Sequence, residues 1–468
     1  MKVCMFVLNN CKYDFRLFKE AKTLTDAGHD VRIIAILDKD TEPYEERDGF
    51  RIIRVNTSTI IKRSLRAIRK AESFVIGLIS SFLDFFRSDS HRTEPASAPS
   101  PEQVEQPSTS APPEDEPLIW LAYRRVRQSL YHGLRFAMGV AIRPINRPLT
   151  YWEFYHRSWK VVKHEPADVY HSHDLNTLLL GYIARRRTGG KLVYDSHELF
   201  TELHYIPRVE RLMFRFLERR LIHRADAVII VNEFAAEELA KRYGIGLPTV
   251  VRNCPPIARQ GDEQCNSSLR KSLGLDDTVP IIVHVGIFSR SRGSEQLVSA
   301  TPFLNHGVVV FLGWGAGVEE GDLKELVKQK GLEDRVLFVP PVAPEQVVGH
   351  ISSAQVGVVL FRNVSLNHYY ATPNKLWECM NAGLPVVGSN FPALKSIVEG
   401  YRLGKTCNPE DPEDIAAAIN WVLSDKKRYE RMRKNALKAA KIFNWENESK
   451  KLLEIYRRLS HRFDDRTA

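Results

Sequence analysis

The stretch Tyr369-Tyr-Ala-Thr-Pro-Asn-Lys-Leu-Trp-Glu-Cys-Met-Asn-Ala-Gly-Leu-Pro-Val-Val387 decides how the rest of the chain is read. It has the grammar of a short helix with both ends marked, running into a buried strand. Thr372 is placed as the N-cap and Pro373 at the first helical position, where a missing N–H costs nothing. Gly383 closes the helix, and the apolar run 384–387 opens the strand. Such a helix start offers free backbone N–H groups to an anion, and Lys375 adds charge, so Thr372, Asn374 and Lys375 read as a phosphate grip. Glu378, one and a half turns further in, presents a carboxylate to sugar hydroxyls. A phosphate grip beside a hydroxyl acceptor describes a nucleotide-sugar site. The plain alternative is an amphipathic helix that merely precedes a core strand.

Working outward, the same alternation of strand and helix fills both ends of the chain. Residues 3–8 read as a strand, 15–27 as a helix ending at Gly28, and 31–37 as a second strand. Short apolar runs at 168–171, 191–194 and 227–231 are each followed by a polar turn and a helical pattern. After Asn253-Cys-Pro-Pro256 the grammar restarts, with strands at 280–285, 308–312, 336–339, 356–360 and 385–387. Alternation of this kind predicts parallel sheets wrapped by helices. The expected architecture is α/β, with two Rossmann-like, doubly wound domains facing across a ligand cleft, one at 1–253 and one at 254–443. Residues 444–468 make an amphipathic helix and tail.

Between about 57 and 163 the pattern breaks, and this is read as an insertion. Residues 88–117 are rich in Pro, Ser, Glu and Ala and poor in large apolar residues, the composition of a disordered linker. Its flanks differ. Segment 58–86 carries five Lys/Arg against two acids and 117–163 carries nine against one, which accounts for the whole of the +10 net charge. Apolar residues repeat at helical spacing in 60–70. The series Tyr131, Arg135, Phe136, Tyr151, Trp152, Tyr155, Arg157, Trp159 and Lys160 interleaves aromatics with bases. That mixture suits an anionic membrane surface; the alternative is helices that pack on the first domain. No nucleic-acid motif accompanies the charge, so nucleic acid is not an expected partner.

The six cysteines are scattered, with no CxxC, which favours a reducing compartment and argues against a structural zinc. The N-terminus is apolar but brief and reads as a first strand rather than a signal peptide. No apolar run approaches the roughly 20 residues that span a bilayer. The expected place is cytoplasmic, peripheral on the inner face of the cell membrane.

Several strand ends carry polar residues of catalytic type. Tyr170-His-Ser-His-Asp-Leu-Asn-Thr177 lies just past a predicted strand, where ligands bind in open α/β sheets. His171 and His173 share one face of an extended segment. With Asp174 they hint at a metal, but no third ligand follows at typical spacing, so none is expected. Asp195, His197 and Glu198 sit at the next strand end, as acceptor contacts or as residues that fix the loop. In the second half, His284-Val-Gly-Ile-Phe-Ser-Arg-Ser-Arg-Gly293 is a strand, a turn at Gly286 and a helix start with Arg290 and Arg292, and arginine suits bidentate diphosphate contact. The GxGxG at 313–317 is weak evidence by itself.

The stretch Pro373–Val387 resembles the donor-site signature of glycosyltransferase family 4, retaining enzymes of the GT-B fold. That signature has two glutamates separated by seven residues; Glu378 matches the second, which in the family binds the ribose. Tyr370 stands where the first would be, near the transferred sugar. The resemblance implies His173 as the active-site histidine facing the sugar, and Arg292, ahead of Arg290, as the cation on the diphosphate. Asp174, His197 and Glu198 fall in a loop that is similar to the family's. Asp14 and Arg16 occupy a turn where the family often has a Gly-rich loop. It further implies retention of anomeric configuration, no metal or other cofactor, and a C-terminal helix that returns to the first domain. The expected reaction moves a sugar from a nucleotide-diphosphate donor to a hydroxyl of a saccharide or lipid-linked acceptor. A sugar-nucleotide epimerase of the same fold and a non-catalytic membrane-associated scaffold are the other readings, Tyr370 being the main support for the last.

Overall fold

Four of the five residues of strand β1 (Lys2–Phe6) are buried. A strand covered on both faces reads as an unbroken apolar run, as parallel sheets require. The structure, a computed structural model, describes residues 1–57, 147–257, 269–315 and 318–464. The readings made for 58–146, including the linker at 88–117 and most of the basic flanks, lie outside the described residues. The chain divides after Arg54 and before Trp159 into two compact units. Of the smaller, 55–57 and the start of a helix at 147–164 are described. In that helix Trp152 is exposed and stacks on His156 at 5.5 Å, one turn away, while Phe154 is buried.

In the larger unit β1 pairs in parallel with β2 (Asp30–Leu37) on one side and β5 (Val169–His173) on the other. Strands β6 (Lys191–Ser196), β7 (Ala227–Ile230) and β8 (Thr249–Val250) extend the same edge, all parallel. At the opposite edge β3 (Tyr44–Arg47) and β4 (Phe50–Asn56) form an antiparallel hairpin that the sequence reading missed. It turns on Asp48 and Gly49, at φ 49° and 81°, the left-handed pair a two-residue turn demands. The order β3-β4-β2-β1-β5-β6-β7-β8 reverses direction between β1 and β5, so the ends of those strands flank a switch point, where open sheets bind ligands.

The second sheet runs β11-β10-β9-β12-β13-β14. Its strands are β9 (Ile281–Phe288), β10 (Val308–Gly315), β11 (Val336–Val339), β12 (Val356–Val359), β13 (Val386–Ser389) and β14 (Gly404–Cys407). Every pair is parallel. Alternate residues feed opposite cores: Ile281, Val283, Val310 and Leu312 pack on one face, and Ile282, Val309, Phe311 and Val358 on the other. Both faces are thus covered, and the larger unit holds two α/β domains, each built on its own sheet.

The tail helix Trp445–Asp464 returns to the first sheet, as expected. Trp445, Leu452, Ile455, Tyr456 and Leu459 join the core of β1, β2 and β5, and Trp445 donates its indole N–H to Thr23 at 3.0 Å. The five described cysteines are free and buried. Among the described residues no helix is long and apolar enough to cross a membrane.

Candidate active site

The first half of the site sits at the ends of β5 and β6, where parallel pairing sets His173 beside Asp195. Arg16, from the first helix (Phe15–Asp26), grips the Asp195 carboxylate with Nη2 at 2.9 and 3.0 Å and Nε at 3.2 Å. Its Nη1 donates to the Val251 carbonyl at 2.9 Å. Arg16 Nε also lies 3.0 Å from Glu20 Oε1, but off the hydrogen-bonding angle, so neither Glu20 oxygen accepts a hydrogen bond. The pairing is fully buried. Burial opposes the charge on Asp195, yet Arg16 and then His197 outweigh it and hold the carboxyl well below its usual range. Glu20, with weaker support, is pushed by burial up to about 8.

The histidines build on this pair. His171 and His173 stack at 4.3 Å, and Tyr456 of the tail helix lies 2.9 Å from His171 Nδ1. Burial keeps both rings neutral, His171 at about 4 and His173 well below its ordinary value. His197 differs: burial works against its charge, but Asp174 and Asp195 prevail and raise it to about 10. His197 Nε2 stands 2.9 Å from His173 Nδ1. A charged His197 can only donate there, so the proton of His173 resides on Nε2. That Nε2–H has no partner among the described residues. The next residue, Asp174, holds φ 63° and ψ 163°, a region costing about 1–3 kcal/mol for a residue other than glycine. Strain of this size immediately after His173 marks the turn as fixed by its surroundings.

Glu20, His171, His173 and Asp195 offer ligand atoms that all lie within 4.8 Å of one another. Sequence spacing showed no third ligand for the histidine pair; the fold brings two from other elements. Arg16 already stands against the Asp195 carboxylate and supplies the positive charge that pairs with it.

The second half of the site surrounds the helix Asn374–Asn381. Its start differs from the sequence reading. Pro373, at ψ 157°, is itself the cap, no side chain caps the helix, and the Thr372 hydroxyl is buried without a partner. Its end is as read: Gly383, at φ 67°, donates to the Met380 carbonyl and Leu384 to that of Cys379, the paired bonds of a Schellman close. Lys375 is turned inward and buried, its Nζ 2.9 Å from His284 Nε2 at the middle of β9. Burial, then the nearby Arg292, pushes Lys375 well below its usual value. Glu378 is raised by burial, with Lys375 and Lys19 opposing.

Arg292 lies over the Phe361 ring at 5.8 Å and makes no side-chain hydrogen bond or ion pair among the described residues. Burial lowers its pKa, with Glu198 opposing. Arg290 is elsewhere: more than half exposed, it pairs with Glu295 at 2.9 Å and Asp322 at 3.0 Å on the outer surface. Gly286 and Gly313 are register partners, and a Cβ on Gly313 would stand 2.1 Å from the Gly286 carbonyl oxygen. The two strand ends therefore approach as only glycine permits.

Contacts at Asn367, Asn374 and Tyr370 help to join the halves. Asn367 donates to Glu198 at 2.7 Å and accepts from the Leu199 N–H at 3.1 Å. Asn253 donates to Asn374 at 3.1 Å. The Tyr370 carbonyl accepts from Asn232 at 2.9 Å, while its ring stacks on Phe234 at 5.9 Å. Tyr370, read as a donor contact, is thus engaged with the first domain. Sequence reasoning gave no role to Glu20, Asn232 or Asn367; only the Arg16/Glu20 spacing of four on a helix was a usable signal.

Two family models match, glycosyl transferases group 1 over residues 266–439 and a glycosyl transferase 4-like domain over 109–254. Together they span more than half of the chain. The chain belongs to the GT4-like glycosyltransferases. The first-domain match begins inside the stretch set apart above as an insertion. A D-inositol 3-phosphate glycosyltransferase from a Nocardioides species is 26% identical over 317 residues, 62% of this chain and 67% of that one. Among solved structures, sucrose-phosphate synthase from Thermosynechococcus elongatus superposes with TM-score 0.69 at 18% identity, covering 99% of this chain and all of the other. The Anabaena protein HepE, solved with UDP-glucose, gives 0.64 at 16%, covering 98% and 100%.

Proposed function

We propose that this glycosyltransferase moves a sugar from a nucleotide-diphosphate donor to a hydroxyl, with retention of configuration and without a metal. The observation that carries the donor assignment is the uncommitted Arg292 beside the buried Lys375–His284 pair and the open start of the helix Asn374–Asn381. Arg292 supplies a cation, and the helix start and the Lys375 amine supply N–H groups, with no carboxylate bonded to any of them among the described residues. Negative charge grows on the leaving diphosphate as the glycosidic bond breaks, and groups fixed beforehand lower that barrier most. Glu378 would accept from the ribose and the His173 Nε2–H would donate to a sugar hydroxyl. The UDP-glucose bound by the Anabaena neighbour supports a sugar nucleotide of this class.

For the acceptor, we infer a saccharide or lipid-linked saccharide met at an anionic membrane surface, by a peripheral enzyme on the cytoplasmic side. Support comes from the excess of Lys/Arg in 58–86 and 117–163. The test measures nucleoside diphosphate release from a panel of sugar nucleotides, with and without lipid-linked acceptors, followed by the anomeric configuration of the product. Release with no glycosylated product from any acceptor would sink the transfer reading.

A further inference from the structure

The helix Arg208–Leu221 leaves an apolar stripe in the open. Val209, Leu212, Met213 and Phe216 are between 62% and 71% exposed. Their spacing of three, one and three puts all four on one side of the helix. The opposite side is buried, through Phe214, Glu218 and Leu221. Four large apolar side chains exposed together on one helix are not the singly scattered apolar residues normal for a surface.

The charges around the stripe select its partner. Between 208 and 224 there are six arginines and two glutamates, and Glu218 is buried, bonded to Tyr194 and Tyr243 at 2.8 and 2.6 Å. Arg208, Arg219 and Arg220 are exposed along the stripe, and Arg220 lies over the Phe216 ring at 5.0 Å. A protein partner with an apolar groove would have no need of such a bias. A lipid monolayer with anionic headgroups needs both parts, apolar side chains to enter the acyl boundary and arginines at headgroup level.

The helix is also tied to the site. It follows the loop bearing His197 and Glu198, Phe200 meets Phe214 edge-on at 5.1 Å, and Arg211 donates to the Leu203 carbonyl at 3.0 Å. We propose that the Arg208–Leu221 face docks the enzyme on an anionic membrane, holding the His197–Glu198 loop where an acceptor anchored in that membrane arrives. This surface deepens the membrane reading above, but its test needs no turnover.

The full-length protein is sedimented with vesicles of phosphatidylcholine alone and with 30% phosphatidylglycerol. Binding is expected only with the anionic lipid, and to fall as salt rises. Leu212→Ser with Phe216→Ser should weaken it at least 10-fold. Arg219→Gln with Arg220→Gln should weaken it about 25-fold, roughly fivefold for each basic side chain near an anionic surface. Nucleoside diphosphate release with a soluble acceptor and thermal unfolding monitor the fold; both should stay near wild type. Anionic-vesicle binding unchanged in both variants overturns the proposal, whatever the sugar chemistry. So does a stripe variant that only turns a dimer into a monomer, which would assign the face to a second copy.

Discussion

His197 Nε2 stands 2.9 Å from His173 Nδ1, and this contact decides which nitrogen of His173 carries the proton. With Asp174 and Asp195 keeping His197 charged to about pH 10, His173 presents Nε2–H throughout the physiological range. His197→Phe removes the donor and frees the tautomer. The expected loss in kcat is about 10- to 100-fold, the ~1.5–3 kcal/mol of a hydrogen bond to a charged group, with the donor KM little changed. His197→Gln, which still offers an N–H, should recover part of it. Equal loss in both variants would mean His197 serves packing alone.

The two arginines ahead of Gly293 separate cleanly. Arg292→Ala should lower kcat/KM by about 10- to 100-fold, because an unpaired cation over Phe361 is lost. Arg290→Ala breaks only exposed pairs to Glu295 and Asp322 and should change kcat/KM less than twofold. Steady-state kinetics of both variants decides; the reverse order would place the diphosphate on the other side of the loop.

Lys375 makes donor binding a proton-linked event. It is held below its ordinary pKa by burial and by Arg292, and its Nζ meets a neutral His284. An arriving diphosphate favours the charged form, so the pKa rises and the site takes up protons, to a maximum of about one. Calorimetry of nucleoside diphosphate binding near pH 8, in buffers of different ionisation enthalpy, reads the uptake directly. Lys375→Met should weaken binding about 10-fold and shrink the uptake. Heats independent of the buffer would show that the pair does not titrate.

The buried network should make stability fall on the alkaline side. Glu20 has its folded pKa raised to about 8, so the folded state holds a proton that the unfolded chain gives up near its ordinary value of 4.5. Stability therefore declines as pH climbs from about 4.5 to about 8. His197, also raised, stabilises fully below its unfolded value of 6.5, and this is lost as pH rises through about 10. Glu20→Gln should match wild type near pH 5 and melt higher near pH 8.5. A melting difference that does not grow with pH would contradict the assignment.

How much of this was legible follows from the range of each interaction. The repeated strand–helix grammar gave most of both sheets, because parallel strands buried on two faces are continuous apolar runs, but not the edge strands β8 and β14, which are short and not such runs. The β3–β4 hairpin was missed because Tyr44–Arg47 is largely exposed and charged, although Asp48-Gly49 was a usable turn signal. His173, His197 and Arg292 were visible at strand ends. Their couplings were not, since Arg16 meets Asp195 across 179 residues and His171 meets Tyr456 across 285. The N-cap at Thr372 failed locally: a proline at ψ 157° took the cap itself.

Tyr370 supplies the last prediction. It stands where the resemblance calls for a carboxylate, yet its carbonyl is held by Asn232 and its ring by Phe234. Burial raises the phenol's pKa, followed by Glu238, Tyr369 and Glu237, so the surroundings are already negative. Tyr370→Phe keeps the ring and should leave kcat/KM within about twofold. Tyr370→Ala loses the stack, worth about 0.5–1.5 kcal/mol, and should raise KM by about two- to tenfold. Tyr370→Glu would bring a third carboxylate beside Glu237 and Glu238 and should lower activity further rather than restore a lost contact. Should Tyr370→Glu instead gain activity, the side chain belongs to the sugar site, and the domain-joining role assigned to its ring is wrong.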